Sequence, residues 1–315
     1  MSDAPKIVFA GSPAFALPTL KLLSKGNLRP CLVITMPDSK KGRGKKLLPT
    51  PVKLLAQQLR IQVITTDNIN NLLPMLQELK PDIIVTVAYG GYLRANIRKL
   101  PRYGCINLHP SLLPAYRGAN PIKYPLLRGE KLTGYTIFKI VAKMDAGAIY
   151  YQQEIKIEDT DNFASLQEKL ARDGAKGVLH TVQKILSGAA STKEQDHALA
   201  TYTHKTKKED TYLNWHSTAQ QISNFVRAYS PKPGAITALG KQSIKIIACQ
   251  ITSQRSSSTP GTVEQIHKNE GFSVSTQDVN ILVTSVQPAG KKLMDAYAFT
   301  LGKADLLGTK LSSPL

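Results

Sequence analysis

Short apolar runs alternate with helical patterns through the first third of the chain. Lys6–Gly11 is apolar on both faces and ends on glycine, the pattern of a buried parallel strand. Pro18–Leu23 has helical spacing and closes near Gly26 and Asn27. Cys31–Thr35 is a second buried run. Val52–Leu59 predicts a helix with Thr50 as N-cap and Pro51 at its first position. Gln62–Thr65 predicts a third strand, Ile69–Leu79 a helix, and Asp82–Ala88 a fourth strand. Strands alternating with helices in this way predict an α/β fold, a doubly wound, parallel-rich Rossmann-like sheet.

The pattern changes further on. Asn162–Leu186 predicts a long helix with Phe163, Leu166, Leu170, Val178, Val182 and Ile185 as its apolar stripe. Gly188–His197 is small and polar, the composition of a linker. A second helix is expected after Ser217, with Ala219, Ile222, Val226 and Tyr229 at helical spacing. After Pro231–Gly234 short β runs follow at Ile244–Ile247, Gly261–Ile266, Gly271–Thr276 and Asn280–Ser285, which predict a small barrel. Trp215 is expected to pack at the domain junction. The resulting division is a Rossmann-like domain over 1–190, a linker over 191–204 and a smaller C-terminal OB-like β-barrel domain over 205–315, in keeping with about two domains for a chain of 315 residues.

Composition adds one thing to this picture. Lys and Arg number 41 against 22 Asp and Glu, a formal net charge of +19. That imbalance points to a polyanionic or acidic partner. The basic residues concentrate at Lys40-Lys41-Gly42-Arg43-Gly44-Lys45-Lys46, a glycine-bearing loop suited to phosphates, with Arg able to reach base edges. Taken alone, it also reads as a solvated charge run. The three cysteines, Cys31, Cys105 and Cys249, are odd in number and far apart, which argues against a disulfide framework and a zinc site. His180, His197, His204, His216 and His267 lack metal-ligand spacing, so no metal is expected. A polar start and no apolar run of about 18 residues lead to the expectation of a cytoplasmic protein with no membrane segment.

The turn after the first strand, Gly11-Ser-Pro-Ala-Phe-Ala16, is not GxGxxG, and no GxxxxGK[ST] occurs. Neither a dinucleotide nor a nucleoside triphosphate site is indicated. Ligands of such sheets bind beyond the carboxyl ends of the strands, where Ala88-Tyr89-Gly90-Gly91 lies. The chemically dense segment is Gly104–Pro121. Asn107 and His109 are two apart, so a strand places both on one face. An amide and an imidazole converging there can polarise a carbonyl and move a proton. Asp145, at a turn between apolar runs, can orient the histidine. Residue types alone leave the alternative of a structural histidine, with Asn107 and Asp145 as turn formers.

Asn107-Leu-His109-Pro-Ser-Leu-Leu-Pro114 with Arg117-Gly118 and Asp145-Ala-Gly147 resembles the signature of enzymes that transfer a formyl group from 10-formyltetrahydrofolate. Pro37-Asp38 with Gly42–Lys45, Pro51–Lys53, Val87–Gly90, Asn214-Trp215 and Val286–Lys292 extend the likeness to the methionyl-tRNA formyltransferase family over nearly the whole chain. The resemblance implies formyl transfer from 10-formyltetrahydrofolate, as co-substrate and without metal, to the amino group of methionyl-initiator tRNA, by a monomer. It implies Asn107 as oxyanion donor, His109 as proton mover and Asp145 as the carboxylate orienting it. It places reduced folate along Val87, Ala88, Tyr89 and Gly90 and along Ser111, Leu112, Leu113 and Pro114. It places the tRNA acceptor stem against Lys40, Lys41, Arg43, Lys45 and Lys46, with Lys205, Lys207, Lys208, Lys291 and Lys292 extending the track. The chain departs from the family's usual pattern at Pro110 (usually Ala), at Ala115 (usually Arg) and at Ser39-Lys40-Lys41. Two other readings share these residues: a formyltetrahydrofolate-dependent transferase or hydrolase with another acceptor, and a non-catalytic RNA-binding relative.

Overall fold

The buried run Ile7–Gly11 is an interior strand of a seven-stranded sheet. From the outer edge inward on one side the strands are Val63–Thr65 and Leu32–Thr35; on the other side follow Ile83–Val87, Cys105–His109, Leu132–Lys139 and Ile149–Lys156. The first five in chain order are parallel, and Leu132–Lys139 pairs antiparallel to Cys105–His109. The chain winds outward from Ile7–Gly11 through two strands, then returns to its other side. The crevice beyond the carboxyl ends of Ile7–Gly11 and Ile83–Val87 is therefore the switch point where such sheets hold ligands. The computed structural model describes residues 4–41, 46–303 and 305–313.

The local chemistry follows the sequence. Pro51–Gln58 is a helix whose N-cap Thr50 accepts the Lys53 N–H. Asn162 caps the helix Phe163–Leu186 by accepting the N–H groups of Ala164 and Ser165. The expected single helix over Ile69–Leu79 is instead a 3-10 turn, Ile69–Leu72, followed by the helix Leu73–Leu79. Pro74 has no N–H to return to the preceding turn, so that turn closes more tightly. The sheet core is Val8, Ala10, Leu32, Ile34, Ile84 and their neighbours. Each such fully buried branched side chain stabilises the fold by roughly 1.5–3 kcal/mol relative to exposure.

The chain forms two compact units. The first comprises Met1–Pro121, Thr133–Lys156 and Gln167–Thr203; the second comprises Ile122–Leu132, Ile157–Leu166 and His204–Leu315. The small polar stretch 188–197 packs within the first: Lys193 bridges to Ile149, and Gln195 is buried.

The second unit is an antiparallel, curled half-barrel with one long helix. Its main sheet runs Val263–His267, Gly271–Val274, Val279–Pro288, Gln242–Arg255, Ala235–Leu239 and Leu311–Ser312. Gln242–Arg255 is far longer than the sequence run Ile244–Ile247. Register shifts around Ala248 break its alternation, and bulges of this kind bend a strand. The helix Ala219–Tyr229 starts on a capping box of Thr218 and Gln221. Trp215, expected at a domain junction, lies in this unit's own core. Its indole N–H donates to Thr237 Oγ1 at 3.0 Å.

Candidate active site

A cavity of about 270 Å³ opens beside the switch point of the first unit. Its floor is Thr86 and Asn107, from the ends of adjacent parallel strands; its walls include Tyr89, Leu93, Phe138 and Ile140, and Val141, Met144 and Asp145 come from the loop after Leu132–Lys139. Asn107 and His109 sit on one strand, paired with Phe138 and Thr136 of the next. The Thr86 hydroxyl donates to Asn107 Oδ1 at 2.7 Å. That bond engages the amide's oxygen, so the group Asn107 can offer the cavity is its NH2.

His109 does not line the cavity. It is buried behind Asp145, with its side chain 5% exposed against 18% for Asp145. Its Nε2–H donates to the Tyr116 carbonyl at 2.9 Å, and its Nδ1 faces Asp145 Oδ2 at 3.7 Å. Phe138 meets the ring edge-on, with centroids 6.4 Å apart. Burial pushes the imidazole below its ordinary range, opposed by the Asp145 carboxylate and the Tyr116 carbonyl. The ring is therefore neutral at pH 7, with its Nδ1 lone pair toward Asp145. Asp145 has φ +49°, a left-handed turn that Asp tolerates better than most residues, and its Oδ2 accepts the Gly118 N–H at 2.8 Å. The turn leaves no room at Gly147, where a Cβ would lie 1.8 Å from the Lys139 carbonyl oxygen.

Tyr89 and Gly90 line this cavity; Val87 is buried in the sheet, and Ala88 is exposed at its end with φ +47°. Ser111, Leu112, Leu113 and Pro114 are not among its lining. Several of their polar groups have partners within the protein. Thr136 Oγ1 donates to the Ser111 carbonyl and accepts the Leu113 N–H, Gln152 donates to the Leu113 carbonyl, and Ser111 Oγ donates to the Ala115 carbonyl. The sequence reading also missed Thr86, Tyr116 and Gly118. Thr86 was visible as the one hydroxyl in the run Ile83–Val87; the other two act through backbone groups, which carry no side-chain signal.

The cationic candidates are placed unit by unit. Ser39–Lys41 and Lys46–Leu48 form a two-stranded hairpin, with Lys40 opposite Leu47 and Lys41 opposite Lys46. Lys40 and Lys46 are exposed; Arg43 and Lys45 lie outside the described residues. Lys205, Lys207, Lys208, Lys291 and Lys292 are exposed on the second unit. Among the described residues no three His, Cys, Asp or Glu side chains group as a metal site, and no helix is long and apolar enough to cross a membrane.

The cavity's size, apolar walls and few polar groups suit part of a flat heteroaromatic ligand, with the remainder outside. The formyl transferase family matches residues 5–182, and the formyl transferase C-terminal domain matches residues 205–304. A methionyl-tRNA formyltransferase of Bacillus subtilis is 40% identical over 310 residues, covering 96% of this chain and 98% of its own. One of Kosmotoga olearia is 40% identical over 309 residues, covering 97% and 99%. Among solved structures, an N-formyltransferase from Helicobacter canadensis, in complex with folinic acid and dTDP-3-aminofucose, shares the fold. Its TM-score is 0.67 at 21% identity, covering 89% of this chain and 98% of that one. With both domains matched and relatives this similar along nearly its whole length, the chain belongs to the formyl transferase family.

Proposed function

We infer that this protein transfers the formyl group of 10-formyltetrahydrofolate to the amino group of methionyl-initiator tRNA, giving N-formylmethionyl-tRNA. The observation that carries the chemistry is the convergence at one cavity of Asn107 and Asp145, with neutral His109 directly behind the carboxylate. The acceptor follows from relatives of 40% identity that bear the name methionyl-tRNA formyltransferase and align over nearly the full chain.

When bound, the donor supplies an activated formyl carbonyl. Asn107 offers its amide N–H to the carbonyl oxygen, held in that orientation by Thr86. Such a donor strengthens as charge develops on the oxygen, and losing one typically costs about 100- to 1,000-fold in rate. Asp145, on the cavity wall, attracts the acceptor's ammonium group. The amine attacks the formyl carbon, and the bond from that carbon to the folate nitrogen breaks. His109, neutral because it is buried, takes the amine's proton at Nδ1 by way of the Asp145 carboxylate, which stabilises the imidazolium. The proton returns by the same route to the leaving folate nitrogen. Tyr89 and Gly90 form the folate side of the cavity.

In this reading residues 1–190 carry the chemistry, 191–204 connect, and 205–315 add to tRNA binding. The acceptor stem is contacted through Lys40, Lys41, Arg43, Lys45 and Lys46. The lysines at 205, 207, 208, 291 and 292 add tRNA contacts from the second unit. The protein acts as a monomer in the cytoplasm. The deciding experiment incubates the protein with 10-formyltetrahydrofolate and charged initiator methionyl-tRNA, with elongator methionyl-tRNA as control. Formylation confined to the initiator is expected. Folded protein that leaves both tRNAs unformylated overturns the reading.

A further inference from the structure

We propose that Arg117 and Gln195 are positioning residues for the transfer: through them the segment Tyr116–Gly118 holds the Asp145 turn in place against His109. This rests on the reading of His109 and Asp145 as the proton-handling pair.

Arg117 is fully buried, and no ion pair compensates its charge among the described residues. Its partners are neutral. Nε and Nη2 donate to Gln195 Oε1 at 3.2 and 2.6 Å, and Nη2 also donates to His197 Nδ1 at 2.9 Å. Nη1 has no hydrogen-bond partner among the described residues. Burying a guanidinium this way is unfavourable, and an apolar side chain of similar volume is often as stable or more so. Fold stability alone therefore does not account for the arginine.

Gln195, 5% exposed, supplies the second half of the device. Its Nε2 donates to the carbonyls of Asp145 at 2.9 Å and Gly147 at 2.7 Å, pinning the turn on both sides of Ala146. An amide can accept from a guanidinium with one end and donate to two carbonyls with the other; a carboxylate can only accept. The turn so held is the left-handed one at Asp145, which aims the carboxylate at the Gly118 N–H and at His109 Nδ1. The segment 116–118 closes the circuit. The Tyr116 carbonyl fixes the far side of the His109 ring, the Gly118 N–H fixes the carboxylate, and the Arg117 side chain between them fixes the turn through Gln195. Gly118 is required there: its φ is +104°, and a Cβ would lie 2.4 Å from the Thr203 carbonyl oxygen.

The test uses Gln195→Glu in the full chain. Glutamate keeps, and strengthens, the acceptor for Arg117, but it removes both donors and sets oxygen against the Asp145 and Gly147 carbonyls. The fold should persist by circular dichroism and melting. The value of kcat should fall about 100-fold, the loss that a displacement of about 1 Å produces, with KM for tRNA within about twofold of wild type. The charged group facing His109 is Asp145, and the other neighbours are the Tyr116 carbonyl and Phe138. As Asp145 moves off, the acid limb of the kcat–pH profile should shift to lower pH. Asp145→Asn is measured alongside.

If Asp145→Asn is impaired while Gln195→Glu keeps wild-type kcat and pH profile, this proposal alone fails. A fall in kcat with the limb unmoved also counts against it, because that is general loosening. If Asp145→Asn turns over at the wild-type rate, the reading of the pair fails, and this proposal with it. Should Gln195→Glu not fold, Arg117→Lys, which keeps the charge and loses the fork, is judged by the same two readouts.

Discussion

Removing the Thr86 hydroxyl tests how the candidate oxyanion donor is oriented. Thr86→Val is nearly isosteric at a buried position, so the strand Ile83–Val87 keeps its packing. What is lost is the 2.7 Å bond to Asn107 Oδ1 and a longer approach, 3.2 Å, to the Ile106 carbonyl. A bond of this kind contributes about 0.5–1.5 kcal/mol net. Here it separates two rotations of the Asn107 amide that are otherwise similar in shape. In one, the NH2 faces the cavity; in the other, the carbonyl does. Losing that bias lowers the share of molecules with the donor in place from about 70–90% to about half, so kcat should fall by up to about twofold. Asn107→Ala, which deletes the donor in every molecule, should cost about 100- to 1,000-fold. Single-turnover formylation with saturating donor reads the step directly. Wild-type single-turnover rates in Thr86→Val, beside a large loss in Asn107→Ala, would refute the orienting role. A Thr86→Val loss as large as that of Asn107→Ala would mean the hydroxyl itself touches the reacting groups.

Other outcomes follow from the same geometry. His109→Ala should lower kcat by about 100- to 10,000-fold without unfolding the protein, checked by rate against circular dichroism. Burial lowers the His109 pKa, so below about pH 6.5 the unfolded chain binds a proton that the native one does not. Stability from this site is therefore full above that pH and is lost as pH falls toward the lowered native value. Melting scans across that window should show a steeper acid loss in wild type than in His109→Gln. Lys40→Ala combined with Lys46→Ala should flatten the log–log salt dependence of tRNA binding by about 1.5–2 units and leave reduced-folate affinity unchanged; an unchanged slope removes the hairpin from the interface.

The sheet was legible because its strands are apolar on both faces. Runs such as Ile7–Gly11 and Ile83–Val87 have no other economical reading in a chain that alternates them with helical spacing. The pairing of Asn107 with His109 was equally open, since a separation of two on a strand fixes a common face. Asp145 was not reachable that way. It comes from a loop nearly forty positions on; residue types left it open between a partner of the histidine and a turn former, and likeness to a family decided. Gln195 was hidden for a different reason. A small, polar segment has the composition of a linker whether it is solvated or turns its amide inward onto carbonyls, because composition does not report hydrogen-bond partners. The roles of Tyr116 and Gly118 are backbone roles and leave no trace in residue type. The long strand Gln242–Arg255 was cut short in the sequence because its bulges shift the alternation that identifies a strand.

Two of the positions where this chain departs from its family's usual pattern, Pro110 and Ala115, fall where the frame relies on backbone alone. Pro110 stands between His109 and Ser111, and the Ser111 N–H donates to the His109 carbonyl at 3.0 Å across it. That is a three-residue turn whose central φ, near −75° in its common form, is one that proline already holds. The N–H that proline lacks has no part in closing it. Ala115 acts through its carbonyl, which accepts the Ser111 hydroxyl, and through its N–H, which donates to the Leu112 carbonyl at 3.0 Å. Replacing a long cationic side chain with a methyl group leaves both bonds in place. Downstream, the Tyr116 N–H donates to Thr201 Oγ1 at 2.8 Å, and its carbonyl still reaches His109. The loop therefore hands the same backbone groups to His109 and Asp145 whichever side chains occupy 110 and 115. Variation there is free to alter what the loop's outer surface meets, while the geometry of the pair depends on Tyr116, Gly118 and the fork from Arg117 to Gln195.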